Sequence, residues 1–308
     1  MSADELQVFV QSLGEKAFRG RQLYHWLYAK RANSFADMSD LAKSFRLKLE
    51  HAGQPGSLQL VSRQLAGNKT AKYLFRLADG AMIESVYIPE AGRRTICISS
   101  QVGCGFKCAF CATGTMGLRR HLSAGEIVEQ VIAVERDTKT LLTNVVFMGM
   151  GEPFHNYDNV IKACRLLNDA DGLAMAGRHI VLSTVGLVPA IYRYADEGHP
   201  YRLAISLHSA VEEKRRRLLP VAKLHPLADL MAAVRYYSKK ARQRLTFEYV
   251  LLAGVNDDES DARALRALVH GIPCKVNLIP YNAAISSFHA PSAARVDQFA
   301  GWLLPLKA

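Results

Sequence analysis

Residues 95–114 read TICISSQVGCGFKCAFCATG. A short β-branched run, TICISS, passes straight into a glycine-rich loop that carries Cys104, Cys108 and Cys111. The run opens a repeating pattern. LSAGEIVEQVIAVERD follows, with Ser123 as N-cap and apolar residues at helical spacing. Then come TNVVFMGM, a helix from Tyr157 to about Leu167, HIVLST, YRLAISLH, RLTFEYVLL and CKVNLIPY, with helix-like segments between them. Six Val- and Ile-rich strands in βα order predict a parallel sheet covered on both faces. Right-handed crossovers allow either an open sheet or a rolled one. The strand ends favour the rolled form. SSQVGC, GMGEP, STVG, SLH, LLAGVND and IPYN all place polar or glycine residues where parallel α/β folds keep their sites. The expected fold class is α/β, with a partial (β/α)6 TIM-type barrel over residues 91–285.

The first 90 residues differ. GEKAFRGRQLYHWLYAKRANSFADMSDLAKSFRLKLE reads as helical, with Leu23, Trp26 and Leu27 on one face. HAGQPGS breaks it, and AKYLFRLADGAMIESVYIPE reads as a hairpin turning at Asp79-Gly80. Residues 1–90 are therefore expected to form an accessory helical and β-hairpin module, and residues 286–308 a C-terminal helical tail.

Composition narrows the class. Hydrophobic residues make up 49% and charged residues 22% of 308, ordinary for a globular protein. No apolar run reaches the roughly 18 to 20 residues of a membrane helix. The acidic start MSADELQVFVQSLG lacks the basic region of a secretory signal, so no membrane and a cytoplasmic location are expected. Six cysteines in a chain this long do not make a disulfide framework. In a reducing compartment, clustered cysteines read as metal-binding or catalytic. A net charge of +11 points to a polyanionic partner, with nucleic acid ahead of membrane. The basic clumps at Arg119-Arg120, Lys214–Arg217 and Lys239–Arg244 fit that, although each alone is as readily a solvated helix face. No heptad seam is present, and a monomer is the default.

The cysteine spacing carries the chemistry. A structural zinc site takes four ligands, usually as two close pairs. Here only C-x3-C-x2-C is found, so zinc would need a fourth ligand elsewhere, such as His121. A [4Fe–4S] cluster normally takes four thiolates. Three leave one iron open to a small chelating ligand, and the amino and carboxylate groups of S-adenosylmethionine (SAM) suit that position. CGFKCAFC resembles the radical-SAM superfamily signature. In GMGEP, Glu152 can pair with an ammonium group. Ser183, Ser206, His208 and Asn282 each end a strand with a hydrogen-bonding group, though a lone serine there is more often an ordinary turn residue.

FRGRQLYHWLY, ESVYIPE, CISSQVGCGFKCAFCATG, GMGEP, LSTVGLVPA, AISLH, FEYVLLAGVND and KVNLIPYN together resemble the bacterial adenine-C2 RNA methyltransferases, from about residue 15 to 300. The resemblance implies a radical-SAM enzyme with a [4Fe–4S] cluster on Cys104, Cys108 and Cys111. It implies SAM contacts from Gly151, Glu152, Ser183, Ser206, Leu207, His208 and Asn282. Its implied substrates are ribosomal RNA and tRNA, and its electron donor a protein such as flavodoxin or ferredoxin. Cys97 matches the cysteine that resolves a covalent RNA–protein adduct, and Glu84 the proton acceptor.

The residues themselves speak to these two. In MIESVYI, Met82, Val86 and Ile88 would share a strand face with Glu84, and a carboxylate on an apolar face has a raised pKa. A solvent-facing edge glutamate is the alternative. Cys97 alone reads as a small buried hydrophobe.

The family also carries a methyl-bearing cysteine beyond the barrel, and no cysteine follows Cys274 in these 308 residues. Cys274 opens the last strand, roughly 20 Å from its active end. Cys164 faces the core of its helix. Neither suits the role. A truncated chain, a chain that has lost methyl transfer, and a chain repurposed for another substrate all fit that pattern. A metal-stabilised RNA-binding protein without catalysis is the non-enzymatic alternative.

Overall fold

The computed structural model describes residues 1–241, 244–282, 285 and 287–304, so Arg242 in the third basic clump and the end of the expected tail lie outside the described residues. The chain divides into two compact units that interleave along the sequence. One comprises Met1–Val102, His121–Gly149 and Asp158–Ile180; the other comprises Gly103–Arg120, Met150–Tyr157 and Val181–Ala308.

The first unit opens with α1 (Ala3–Ser12), started by a capping box in which Ser2 and Glu5 exchange side-chain and backbone bonds. Helix α2 (Phe18–Tyr24) runs into a single π turn, His25–Ala29. That turn shifts the helical register. The buried face is Leu23, Tyr24 and Tyr28, whereas Trp26 and Leu27 are only half-buried, which corrects the sequence expectation. A wider turn adds a residue, and straight 3.6-residue spacing falls short after it. Trp26 instead donates its indole N–H to Asp40 and lies under the Lys30 ammonium. Helix α3 (Lys43–Ala52) buries Phe45 and Leu49.

Four antiparallel strands follow: β1 (Gln59–Leu65), β2 (Ala71–Arg76), β3 (Met82–Glu90) and β4 (Arg93–Cys97). The turn falls at Asp79-Gly80 as read, with Gly80 at φ +80° and Asp79 Oδ1 accepting the Ala81 N–H. Strand β1 escaped the sequence reading because all seven of its residues are exposed and no apolar alternation marks it. A small separate sheet pairs β5 (Gln101–Cys104) with β6 (Gly117–His121), and the short α4 (Ala112–Thr115) lies between them. Helix α5 (Ala124–Thr138) starts at Ser123 with a second capping box, closed by Glu126. Strand β7 (Asn144–Phe147) lies parallel to β4, and α6 (Tyr157–Asn168) matches its expected span.

The second unit continues the alternation: β8 (Ile180–Thr184), α7 (Val188–Glu197), β9 (Arg202–Ser206), α8 (Glu212–Leu218), α9 (Leu227–Lys240), β10 (Leu245–Leu251), α10 (Glu259–Val269), β11 (Cys274–Pro280) and α11 (Ala293–Leu303). Strands β8, β9, β10 and β11 are neighbours in that order and all parallel. The six strands read from the sequence are thus β4, β7, β8, β9, β10 and β11, and the α/β class with the βα order of a partial (β/α)6 barrel holds. Buried Ile180, Leu182, Leu203, Ile205, Phe247 and Tyr249 explain the near-continuous apolar runs. Among the described residues, no helix is long and apolar enough to cross a membrane.

One contact in the first unit is unusually close. A Cβ on Gly20 of α2 would lie 2.5 Å from the Gln7 backbone of α1. Gly20→Ala is expected to lower stability by about 1 to 3 kcal/mol as the helices separate. Gly67→Ala, in open space, is expected to stay within about 0.5 kcal/mol. Urea unfolding of both variants checks the difference.

Candidate active site

The cysteine loop is a tight backbone structure. Cys104 ends β5, Cys108 lies mid-loop, and Cys111 is the N-cap of α4. Gly103 sits at φ +76° with the Gly117 carbonyl pressed against it, so no side chain fits there. Lys107 takes the left-handed conformation at φ +52°. The loop folds back through Cys111 N–H to Cys108 O at 3.1 Å and Gly114 N–H to Cys111 O at 3.0 Å. It is tied to its own unit by Ala109 N–H to Leu218 O and by the Tyr281 hydroxyl donating to Phe110 O.

None of the three thiols is in a disulfide. Burial pushes Cys104 up to about 11, and the nearby Glu152 and Cys111 raise it further. Cys108 is raised beyond the ordinary thiol range by burial, then by Cys111 and Cys104. The three therefore lie within electrostatic reach of one another. Among the described residues, no three His, Cys, Asp or Glu side chains gather to hold a single metal ion. His121, the fourth ligand a zinc site would need, has its Nδ1 hydrogen-bonded to the Gln101 side chain at 2.8 Å. Three thiols outside any disulfide, on one loop and within electrostatic reach of one another, suit three irons of one cluster.

The polar strand ends lie in the same unit. Gly151, at φ +103°, leads into Glu152, which is only 2% exposed. Its Oε1 accepts the Phe154 N–H at 2.9 Å and its Oε2 the Val185 N–H at 2.8 Å. Burial pushes the carboxyl up to about 7 in spite of these bonds and one from Thr184. Ser183 and Ser206 share a hydroxyl–hydroxyl bond of 3.2 Å between neighbouring strands. Beyond β9 the chain peels away, and the Leu207 and His208 N–H groups both donate to the Glu248 carbonyl.

His208 is the most constrained of the set. It is buried, and at φ +56° it takes a conformation uncommon outside glycine. The Val250 N–H donates to its Nδ1 at 3.0 Å, so the neutral ring carries its proton on Nε2. Phe110 packs edge-on against it, with ring centroids 4.9 Å apart. Burial pushes its pKa down to about 3, with Arg215 lowering it further. Asn282 lies just past β11 and is exposed.

Glu84 and Cys97 belong to the other unit. The buried face of β3 is Ile83 and Ser85, not the face of Glu84. Glu84 is 44% exposed and pairs with Lys72 Nζ at 3.1 Å, so the apolar-face argument for it fails. Met82, Val86 and Ile88 do share its parity, but they are themselves only half-buried. Cys97 ends β4 opposite Val86; burial pushes its thiol up to about 12, offset in part by the Met148 N–H. Cys164 is buried on its helix as read, and Cys274 opens β11 as read and is also buried.

The sequence reading missed three residues that shape the site. Asn256 is fully buried, and its amide nitrogen donates to both His208 O and Val250 O while its oxygen accepts the Leu252 N–H. Glu248 is buried and bonded to Asn277 at 2.7 Å. Arg215 is buried to 0% exposure, although its sequence context RRRLL reads as a solvated clump. Only the GVND signature, already marked as a strand end, pointed towards Asn256.

Comparison with known proteins settles the family. Residues 98–265 match the model of the radical SAM superfamily, and residues 1–53 that of the ribosomal RNA large subunit methyltransferase N-terminal domain. A dual-specificity RNA methyltransferase RlmN of Syntrophobacter fumaroxidans is 48% identical over 96% of this chain and 87% of its own length. This chain belongs to the radical-SAM family of dual-specificity RNA methyltransferases. The relative of the same name from Geobacter sulfurreducens is 46% identical over 99% of this chain and 84% of its own. The crystal structure of a radical SAM methyltransferase from Sphaerobacter thermophilus superposes with a TM-score of 0.94 at 40% identity, over 98% of this chain and 90% of that one. The cofactors of the family are a [4Fe–4S] cluster and SAM, and the three-thiol loop fits the first.

His208 gives a pH signature. Between about pH 6.5 and 3, the unfolded chain takes up a proton that the folded ring refuses, so stability falls as pH falls through that window. The loss attributable to this ring is about 2 kcal/mol at pH 5. His208→Asn, whose amide oxygen can accept the Val250 N–H, is expected to flatten that part of the acid limb. Urea titrations at pH 7 and pH 5 measure it.

Proposed function

We propose that Cys104, Cys108 and Cys111 hold the cluster, and that Gly151, Glu152, Ser183, Ser206, Leu207, His208 and Asn282 receive SAM. The substrates are then adenines of ribosomal RNA and tRNA, methylated at C2, with Glu84 and Cys97 acting on the base. The observation that carries this reading is the placement of three unpaired thiols on one glycine-locked loop, in the same unit as the polar strand ends.

When bound, the cluster and SAM supply one-electron reductive cleavage and, from it, hydrogen-atom abstraction. The chain's own groups bind and orient. Glu152 is held rigidly by two backbone N–H groups and by Thr184, and an ammonium charge beside it would offset the burial that raises its pKa. The Ser183–Ser206 pair can donate and accept at once, which suits a carboxylate or ribose hydroxyl. Leu207 supplies an apolar wall, and neutral His208 offers its Nε2–H as a fixed donor. Glu84, half-exposed beside Lys72, is accessible as a proton acceptor, and Cys97 is the thiol of the first unit at a strand end. The net charge of +11 supports both a polyanionic RNA and an acidic electron donor of the flavodoxin or ferredoxin type, met by a monomer in the cytoplasm.

Two outcomes are expected. RNA from cells lacking the gene should lose 2-methyladenosine by mass spectrometry, with restoration by the wild-type gene and none by Cys104→Ala; unchanged 2-methyladenosine would defeat the substrate assignment. Glu152→Gln removes a charge-assisted contact of about 1.5 to 3 kcal/mol. SAM affinity should therefore fall by roughly ten- to a hundredfold in calorimetry on the reconstituted protein.

A further inference from the structure

Arg215 has no role in the scheme so far, yet it is the largest side chain buried to below 2% exposure. Its Nη2 donates to Val185 O at 2.8 Å. Its Nε and Nη1 have no hydrogen-bond partner among the described residues. The neighbouring Glu212 carboxylate acts on it only through space. Glu212 is bound through Oε1 to Arg216 and through Oε2 to the Leu227 N–H. Burial lowers the Arg215 pKa to about 10, which still leaves a full positive charge at neutral pH. A buried guanidinium with two orphaned donor positions costs several kcal/mol unless an anion meets it. Native proteins keep very few such groups, and a redox or catalytic role is a standard reason for one.

The position says which anion. Cys108 and Phe110 of the cysteine loop, with Val185, pack against the apolar cluster that contains Leu218 and Leu219, shortly after Arg215 in the chain. It stands one turn before Leu218 on α8, and the Leu218 carbonyl accepts the Ala109 N–H of the cysteine loop. Gly186 leaves little room beside the guanidinium, since a side chain there would meet Arg215 Nη2 at 3.2 Å. We propose that Arg215 is the buried counter-cation of the cluster held through Cys108, and that its fixed charge sets the cluster's reduction potential. This rests on the reading that the cysteine loop carries the cluster.

A [4Fe–4S] centre with thiolate ligands is an anion, and one-electron reduction adds one more negative charge. No bond breaks and no proton moves; the electron comes from a low-potential donor, dithionite in the assay. A fixed cation in a low-dielectric setting stabilises the reduced form more than the oxidised one. Net charge and hydrogen bonds to the sulfurs are recognised controls on such potentials. Arg215 is thus a positioning and tuning residue for the known reaction.

The test uses the full chain, reconstituted anaerobically with iron and sulfide, as wild type, Arg215→Met and Arg215→Lys. Iron content and a dithionite titration followed by electron paramagnetic resonance are read, with SAM affinity measured alongside. Arg215→Met is expected to load the cluster but to show a reduced-to-oxidised ratio at least tenfold lower at the wild-type midpoint, a downward shift of about 59 mV or more for one electron. Arg215→Lys, which keeps the charge, is expected to stay closer to wild type. Apo Arg215→Met is expected to be as stable as apo wild type or more so, because an unpaired buried charge is gone. An unshifted Arg215→Met potential would overturn the proposal, as would equal shifts in both variants. A drop in SAM affinity at unchanged potential would overturn it in favour of the SAM carboxylate. An Arg215→Met apoprotein that fails to fold would overturn it in favour of a structural role. Wild type that takes up no cluster would defeat the cluster reading itself, a separate and recognisable failure.

Discussion

The parallel register of β8 to β11 is the constraint on which the rest of the site depends. Ser206 of β9 is aligned with Glu248 of β10, and Glu248 with Asn277 of β11, so three polar residues stand in one row across three strands. Slipping any strand by one residue would turn that row towards the opposite face. With the register set, the Glu248 carbonyl catches both Leu207 and His208 as the chain leaves β9, and the Val250 N–H fixes the His208 ring. Asn256 then locks the same turn from the next loop. The left-handed backbone at His208 survives because bonds from two strands and one loop over-determine it.

The same unit tolerates local costs that make sense only with its cofactors. Cys104, Glu152 and His208 are buried and Cys108 partly so, all with their charged forms disfavoured, and Arg215 is buried with donors to spare. Each is a group that water would have kept in its ordinary state. An anionic cluster and a zwitterionic ligand offset such costs together, since each supplies the charge that a protein group lacks. Perturbed groups gathered in this way are the physical mark of a functional site.

The barrel was legible because strands such as β8, β9 and β10 are largely buried and read as apolar runs, while the strand ends break into glycine, serine and asparagine. The cysteine spacing was legible because thiolates at a loop have few other uses in a reducing compartment. What escaped had no signal of its own. Strand β1 is exposed throughout, and the π turn after Tyr24 changes the helical period without a glycine or proline to announce it. Arg215 sits in a basic run where its neighbours Arg216 and Arg217 are exposed, so composition points the wrong way. Glu84 was misjudged because parity assigns residues to a face but does not say which face is covered; here Ile83 and Ser85 hold the inside.

The central claim is that three thiolates leave one iron open for SAM. Anaerobic incubation of the reconstituted protein with dithionite and SAM tests it most directly, with 5′-deoxyadenosine as the readout. The account predicts a brown protein that forms 5′-deoxyadenosine, and no product once Cys104, Cys108 and Cys111 are replaced by alanine. A colourless, zinc-loaded protein that leaves SAM intact would contradict it.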